Sequence, residues 1–156
     1  MATLKSGLRA NEAKWTRPLM NAGFMIMPDV FLEHQQDFKL DAIDMNIIFH
    51  LARYWWSANN LPHPSKKTIA ERMGIDASTV RRRIARMEKA GLIKRNARFG
   101  SDQRREANDY DFRGLINKAK PFATQMIEKR NKKRQARIAK LTRKRFTKTP
   151  AAVQAA

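Results

Sequence analysis

Cysteine is absent from this 156-residue chain, which excludes a disulfide framework, a cysteine-based zinc site and a thiol nucleophile at once. Histidine is scarce. His34, His50 and His63 stand in three separate segments without ligand spacing, so ordinary structural roles are expected and no metal site. No apolar run reaches the length of a membrane span, and the opening MATLKSGLRANEAKW lacks the apolar centre of a signal peptide. A cytoplasmic protein without a membrane partner is expected. There is no phosphate-cradling glycine loop and no paired histidines, so neither an enzyme nor a cofactor is expected. Asp41 and Asp44 lie three residues apart on one predicted helix, a spacing that helix capping explains more simply than metal binding.

Acidic residues are also few: 14 Asp and Glu face 33 Lys and Arg, a net charge of +19. The imbalance is not uniform. Residues 1–63 hold 6 basic and 6 acidic side chains, residues 64–113 hold 14 and 7, and residues 114–156 hold 13 and 1. Positive charge that accumulates toward one end points to a polyanion, nucleic acid before an anionic membrane surface. Hydrophobic residues make up 42%, enough for one packed domain with an added tail.

Charge begins to build in Pro64–Ile93, PSKKTIAERMGIDASTVRRRIARMEKAGLI. Ser65 is placed to cap a helix running from about Lys66 to Met73. Gly74-Ile75-Asp76 interrupts the pattern, because glycine enters the left-handed region of a tight turn at little cost. A second helix is predicted from Ala77 or Ser78 to Ala90, with Gly91 as its stop signal. Ile69, Met73, Ile75, Val80, Ile84, Met87 and Leu92 can share one small core. The pattern is a helix-turn-helix.

With Val80, Ile84 and Met87 buried, a rotation of about 100° per residue turns Ser78, Arg82, Ala85, Arg86 and Lys89 outward. Thr79, Arg81 and Arg83 fall on the flanks. A merely solvated helix needs polar residues there, but not three consecutive arginines with Glu88 alone to offset them. Arginine suits a major groove because its planar fork can donate two hydrogen bonds to guanine O6 and N7 or clamp a phosphate. Arg81 and Arg82 are the candidates for base reading, with Ser78 and Thr79 on bases or phosphates. Lys66, Lys67, Arg83 and Arg86 are the candidates for positioning the DNA backbone.

The stretch resembles the helix-turn-helix of winged-helix DNA-binding proteins, in particular the MarR/GntR-like group of phage and plasmid replication or regulatory proteins. The resemblance rests on Pro64-Ser65, Thr68-Ile69-Ala70, Met73-Gly74, Ser78-Thr79-Val80 and Gly91-Leu92-Ile93. The run from Ile84 to Ile93 is similar to the usual exit from a recognition helix into the first strand of a wing. This resemblance implies a fold and DNA binding; repressors, replication initiators and partition proteins all use the module.

The flanking segments fit such a domain. Residues 1–20 are polar and weakly patterned, and are expected to form a flexible arm. Phe24–Met27 is a short apolar run, strand or extended segment, and Pro28-Asp29 reads as the start of a helix reaching about Phe38. Asp41 opens a clearer helix carrying Ile43, Ile47, Leu51 and Tyr54. Trp55 and Trp56 could stack on bases, but their apolar neighbours place Trp55 in the core and Trp56 at a partly exposed helix end. Two prolines make residues 59–64 a connector, with room for a short edge strand at Leu61.

Leu92–Phe99 and Asn108–Phe112 read as strands around a turn at Gly100-Ser101-Asp102, forming a hairpin wing. Arg98, Arg104 and Arg105 cluster near its tip, where they could meet phosphates or a minor groove, although Asp102 and Glu106 stand among them. Beyond Gly114 an apolar helical stripe runs from Leu115 to Ile127, with Pro121 either kinking it or starting a second helix. Spacing leaves open whether the stripe packs on the domain or makes a homodimer. From Glu128 charge takes over, and Lys132, Lys133 and Arg134 represent a basic run that either stays mobile or becomes helical on phosphates.

The expected fold is mainly α with a small β-hairpin wing: a winged helix-turn-helix domain plus a basic C-terminal helical tail. Its expected divisions are an arm at 1–20, the domain with a helical extension at 21–127 and the tail at 128–156. The expected function is sequence-specific binding of double-stranded DNA, as a transcriptional repressor of a plasmid or phage in the bacterial cytoplasm. A replication initiator or partition protein on repeated sites is the alternative, and non-specific RNA or DNA packaging the alternative of another class. No pocket for a small-molecule effector can be identified from the sequence.

Overall fold

The computed structural model describes residues 10–146, with side chains described as far as Arg143. Expectations for residues 1–9 and 147–156 lie outside the described residues. Two short exposed helices come first, α1 at residues 10–15 and α2 at Arg17–Asn21. Residues 23–28 then follow without regular secondary structure, and a single-turn helix α3 comes next at Val30–Glu33. Phe24–Met27 therefore does not form the strand that was one of the two sequence expectations.

The helix α4, Ala42–Ala52, starts on a reciprocal capping box. The Asp41 carboxylate accepts from the Asp44 N–H, and the Asp44 carboxylate accepts from the Asp41 N–H, each at 3.0 Å. Two otherwise orphaned donors are satisfied in this way. Met45, Ile47, Ile48 and Leu51 point into the core from the same helix.

The helix α5, Lys66–Met73, is capped by Ser65, whose hydroxyl accepts from the Thr68 N–H at 3.0 Å. It ends on Gly74 in the left-handed region, at φ 63° and ψ 35°, where a β-carbon would be strained. The helix α6, Ala77–Lys89, buries Val80, Ile84 and Met87. Burying three such side chains contributes about 1.5–3 kcal/mol each.

The wing consists of β1, Lys94–Asn96, and β2, Asp109–Asp111, antiparallel with Arg95 opposite Tyr110. Its regular pairing is shorter than the sequence suggested. A separate bridge between Phe99 and Arg105 closes the tip, where the Gly100 N–H donates to the Arg104 carbonyl at 2.9 Å. No strand forms at Leu61, although the Tyr110 N–H donates to the Pro62 carbonyl at 2.9 Å and ties the connector to the wing.

The helix α7, Arg113–Phe146, continues through Pro121 for 34 residues. Proline costs it one backbone donor, but the apolar stripe on either side keeps it seated on the domain. Phe122 meets the His34 ring at 4.5 Å and the Phe38 ring edge-on at 5.4 Å. Leu115 and Ala119 are buried, whereas every residue from Ile127 to Arg143 is exposed. The stripe thus packs on its own domain, and the basic run continues the same helix into solvent. Helix α7 crosses residue 128 unbroken.

Candidate nucleic-acid interface

Among the outward residues of α6, Ser78, Arg81, Arg82, Ala85 and Lys89 are exposed, and Thr79 is half-buried. No ion pair to an acid forms at Arg81, Arg82 or Lys89 among the described residues. Their charges stand uncompensated on one face.

Arg83 and Arg86 behave differently. The Arg83 Nη1 group donates to Asp41 Oδ2 and lies 3.7 Å from Asp44 Oδ1. The Arg86 Nη2 group donates to Asp44 Oδ2 and lies 3.6 Å from Asp41 Oδ2. Asp44 is wholly buried and the Arg83 side chain is 20% exposed, whereas 48% of the Arg86 side chain remains accessible. Both arginines were expected to face DNA phosphates. In the folded chain they face the capped start of α4 and brace α6 against it. The two acids that form the cap carry a second role, one that local spacing does not disclose.

Glu88 also does something other than offset the arginines of α6. Its carboxylate takes a fork from Arg95 on β1, with Nε donating at 2.7 Å and Nη2 closer still, and accepts the Arg95 N–H at 3.0 Å. These bonds hold Glu88 below the usual carboxylate range, against the opposing effect of burial. The pair fastens the wing to the end of α6. Lys118 of α7 donates to the Ala90 carbonyl at 2.5 Å, placing a cation at the C-terminus of α6 where the helix dipole favours one.

Cations of α5, α6, β1 and the wing tip come close together where α5, α6 and the wing meet. Burial first, and then the nearby guanidinium groups of Arg95, Arg81 and Arg105, push the Lys66 ammonium below the usual lysine range. The Glu88 carboxylate on Arg95 offsets part of this repulsion, and an anion near Lys66, Arg81 and Arg105 would relieve the rest, which is the electrostatic condition for holding a phosphate. Arg95 is the member that sequence reasoning missed. Its signal was weak, because a lone arginine in a strand is indistinguishable from a solvated one until the register is known.

At the wing tip, Arg98 pairs with Glu106 at 3.0 Å and Arg104 with Asp102 at 3.3 Å. Arg105 meets no acid among the described residues, so the three wing candidates differ in the charge they can offer. Lys67 lies 3.9 Å from Glu71 on an exposed face, a pair worth little. Lys132, Lys133 and Arg134 are exposed on the projecting half of α7, away from the helix-turn-helix in sequence but carried on a helix anchored beside it. Trp56 is 76% exposed, whereas Trp55 stacks on Phe112 with ring centroids 5.5 Å apart.

A capped helix, a left-handed glycine turn, an arginine-bearing second helix and a two-stranded hairpin define a winged helix-turn-helix domain. Residues 39–93 match the family model described as "Helix-turn-helix domain". The fold is similar to the N-terminal domain of DnaD protein from Geobacillus kaustophilus, with TM-score 0.52 and 17% identity over 76% of this chain and 96% of that one. A possible transcriptional regulator from Methanosarcina mazei aligns at TM-score 0.41 and 14% identity, over 73% of this chain and 96% of its own. No curated protein matches the chain by sequence.

Proposed function

We propose that this chain is a binding protein, not an enzyme, and reads specific sites on double-stranded DNA. The observation that carries this reading is the partition of the α6 arginines. Arg83 and Arg86 are held by Asp41 and Asp44, while Arg81 and Arg82 are left uncompensated beside Ser78. Helix α6 would lie in the major groove with its N-terminal residues nearest the base edges. Lys66 and Arg105 would hold an adjacent phosphate, and the basic half of α7 would add affinity without sequence preference.

The setting that fits best is transcriptional repression of a plasmid or phage in the bacterial cytoplasm. A replication initiator or partition protein would use the same face on repeated sites. The exposed cations of α7 also favour a contribution from non-specific RNA or DNA binding. Selection of bound sites from a random DNA pool tests these readings together. A consensus with inverted half-sites about one helical turn apart supports a dimeric regulator, and direct repeats support an initiator. A pool without any consensus rejects sequence reading by α6 and leaves packaging.

A further inference from the structure

The sequence offered no pocket for a small molecule, but folding creates one on the side of the domain away from the charged face. A cavity of about 310 Å³ lies between the segment before α3, helix α4 and the seated half of α7. Its walls are almost wholly apolar, including Phe31, Ile48, Leu115 and Ala123. Two polar features break that pattern. Trp55 lines the cavity, and its buried indole Nε1 has no hydrogen-bond acceptor among the described residues. Lys120 also lines it; its ammonium donates to Asn117 Oδ1 at 3.1 Å and meets no carboxylate among the described residues.

An uncompensated ammonium beside apolar walls favours an anionic group whose body can be buried there. We infer that this cavity binds a small amphipathic carboxylate, with its hydrocarbon body between α4 and α7 and its head group toward Lys120. The volume is at the low end for small-molecule sites and suits a body on the order of ten non-hydrogen atoms. The inference is independent of the DNA-binding proposal.

The probe is octanoate, with octan-1-ol as its uncharged counterpart, titrated into the full chain labelled with ¹⁵N at the indole nitrogens. Octanoate is expected to shift the Trp55 indole resonance saturably while leaving those of Trp15 and Trp56 in place. Lys120→Gln, a surface change, should weaken octanoate about tenfold and leave octan-1-ol unchanged. Ala123→Leu should narrow the cavity and weaken the response to both. An unmoved Trp55 resonance overturns the inference, as does an equal shift of all three tryptophans, which reports surface adsorption. Octanoate affinity unchanged by Lys120→Gln overturns the assignment of the head group, and folded Ala123→Leu that binds as tightly as the natural chain overturns the site.

Discussion

The arginines on α6 have different work to do despite lying within one short run. Arg82 has no acidic partner among the described residues, so Arg82→Ala should leave the fold intact and relax sequence preference. The expected loss is about 1–3 kcal/mol of discrimination at the base it is proposed to read, measured by competition with single-base variants of the selected site. Arg86→Ala should do the reverse. It leaves Asp44, which is fully buried, without its closest charge partner and should lower the unfolding free energy in denaturant titration. Because Arg86 is half exposed, the cost should fall below the roughly 3–5 kcal/mol of a fully buried pair. Lys66→Gln should reduce the log–log salt slope of binding by about 1, since Lys66 is one of the groups proposed to hold a phosphate.

Between elements, the tightest constraint is at Gly114, the second residue of α7. A β-carbon there would come within 2.2 Å of the Gly91 carbonyl oxygen and 3.0 Å of the Leu92 oxygen, both backbone atoms with little freedom to move. Glycine is required because the start of α7 rests directly on the turn after α6, where the Leu115 N–H donates to the Leu92 carbonyl at 2.7 Å. Gly114→Ala should therefore destabilise the chain by about 1–3 kcal/mol, read as a lower denaturation midpoint.

The Glu88–Arg95 fork links α6 to the wing, and its pH dependence has a definite sign. The folded-state pKa of Glu88 lies below its ordinary value of 4.5. Its contribution is thus present above that value and lost as pH falls through the folded-state value. Acid titration of stability should show this loss below about pH 4.5, and Glu88→Gln should flatten that part of the curve.

Over the whole molecule, specificity and general affinity should be separable by truncation. Ending the chain after Ile127 removes the projecting cationic half of α7 but leaves Leu115, Ala119 and Phe122 seated on the domain. Such a protein should select the same consensus with lower affinity for every sequence and a shallower salt dependence. A changed consensus would mean that the projecting helix reads bases too.

Much of the helix-turn-helix was legible before any coordinates. Helix α5 occupies Lys66–Met73 as anticipated, and α6 ends at Lys89, one residue before the predicted limit. These boundaries depend on groups close in sequence: the Ser65 hydroxyl, the left-handed Gly74 and the turn at Gly91. The buried stripe on α6 follows likewise from helical periodicity. Asp41 and Asp44 were read correctly as a cap, but their arginine partners lie 42 residues further along the chain. Nothing in local spacing predicts such a pairing.

By itself, then, the sequence determined the class of fold, the buried face of the second helix and the direction in which charge accumulates. Each is set by backbone geometry, side-chain periodicity or composition. Only the tertiary structure decided which arginines remain uncompensated, that Arg95 joins Lys66 and Arg105, and that an apolar cavity lies behind the domain. Those outcomes depend on which distant surfaces come together, because charge neutralisation and enclosed volume belong to pairs of elements and not to any one of them.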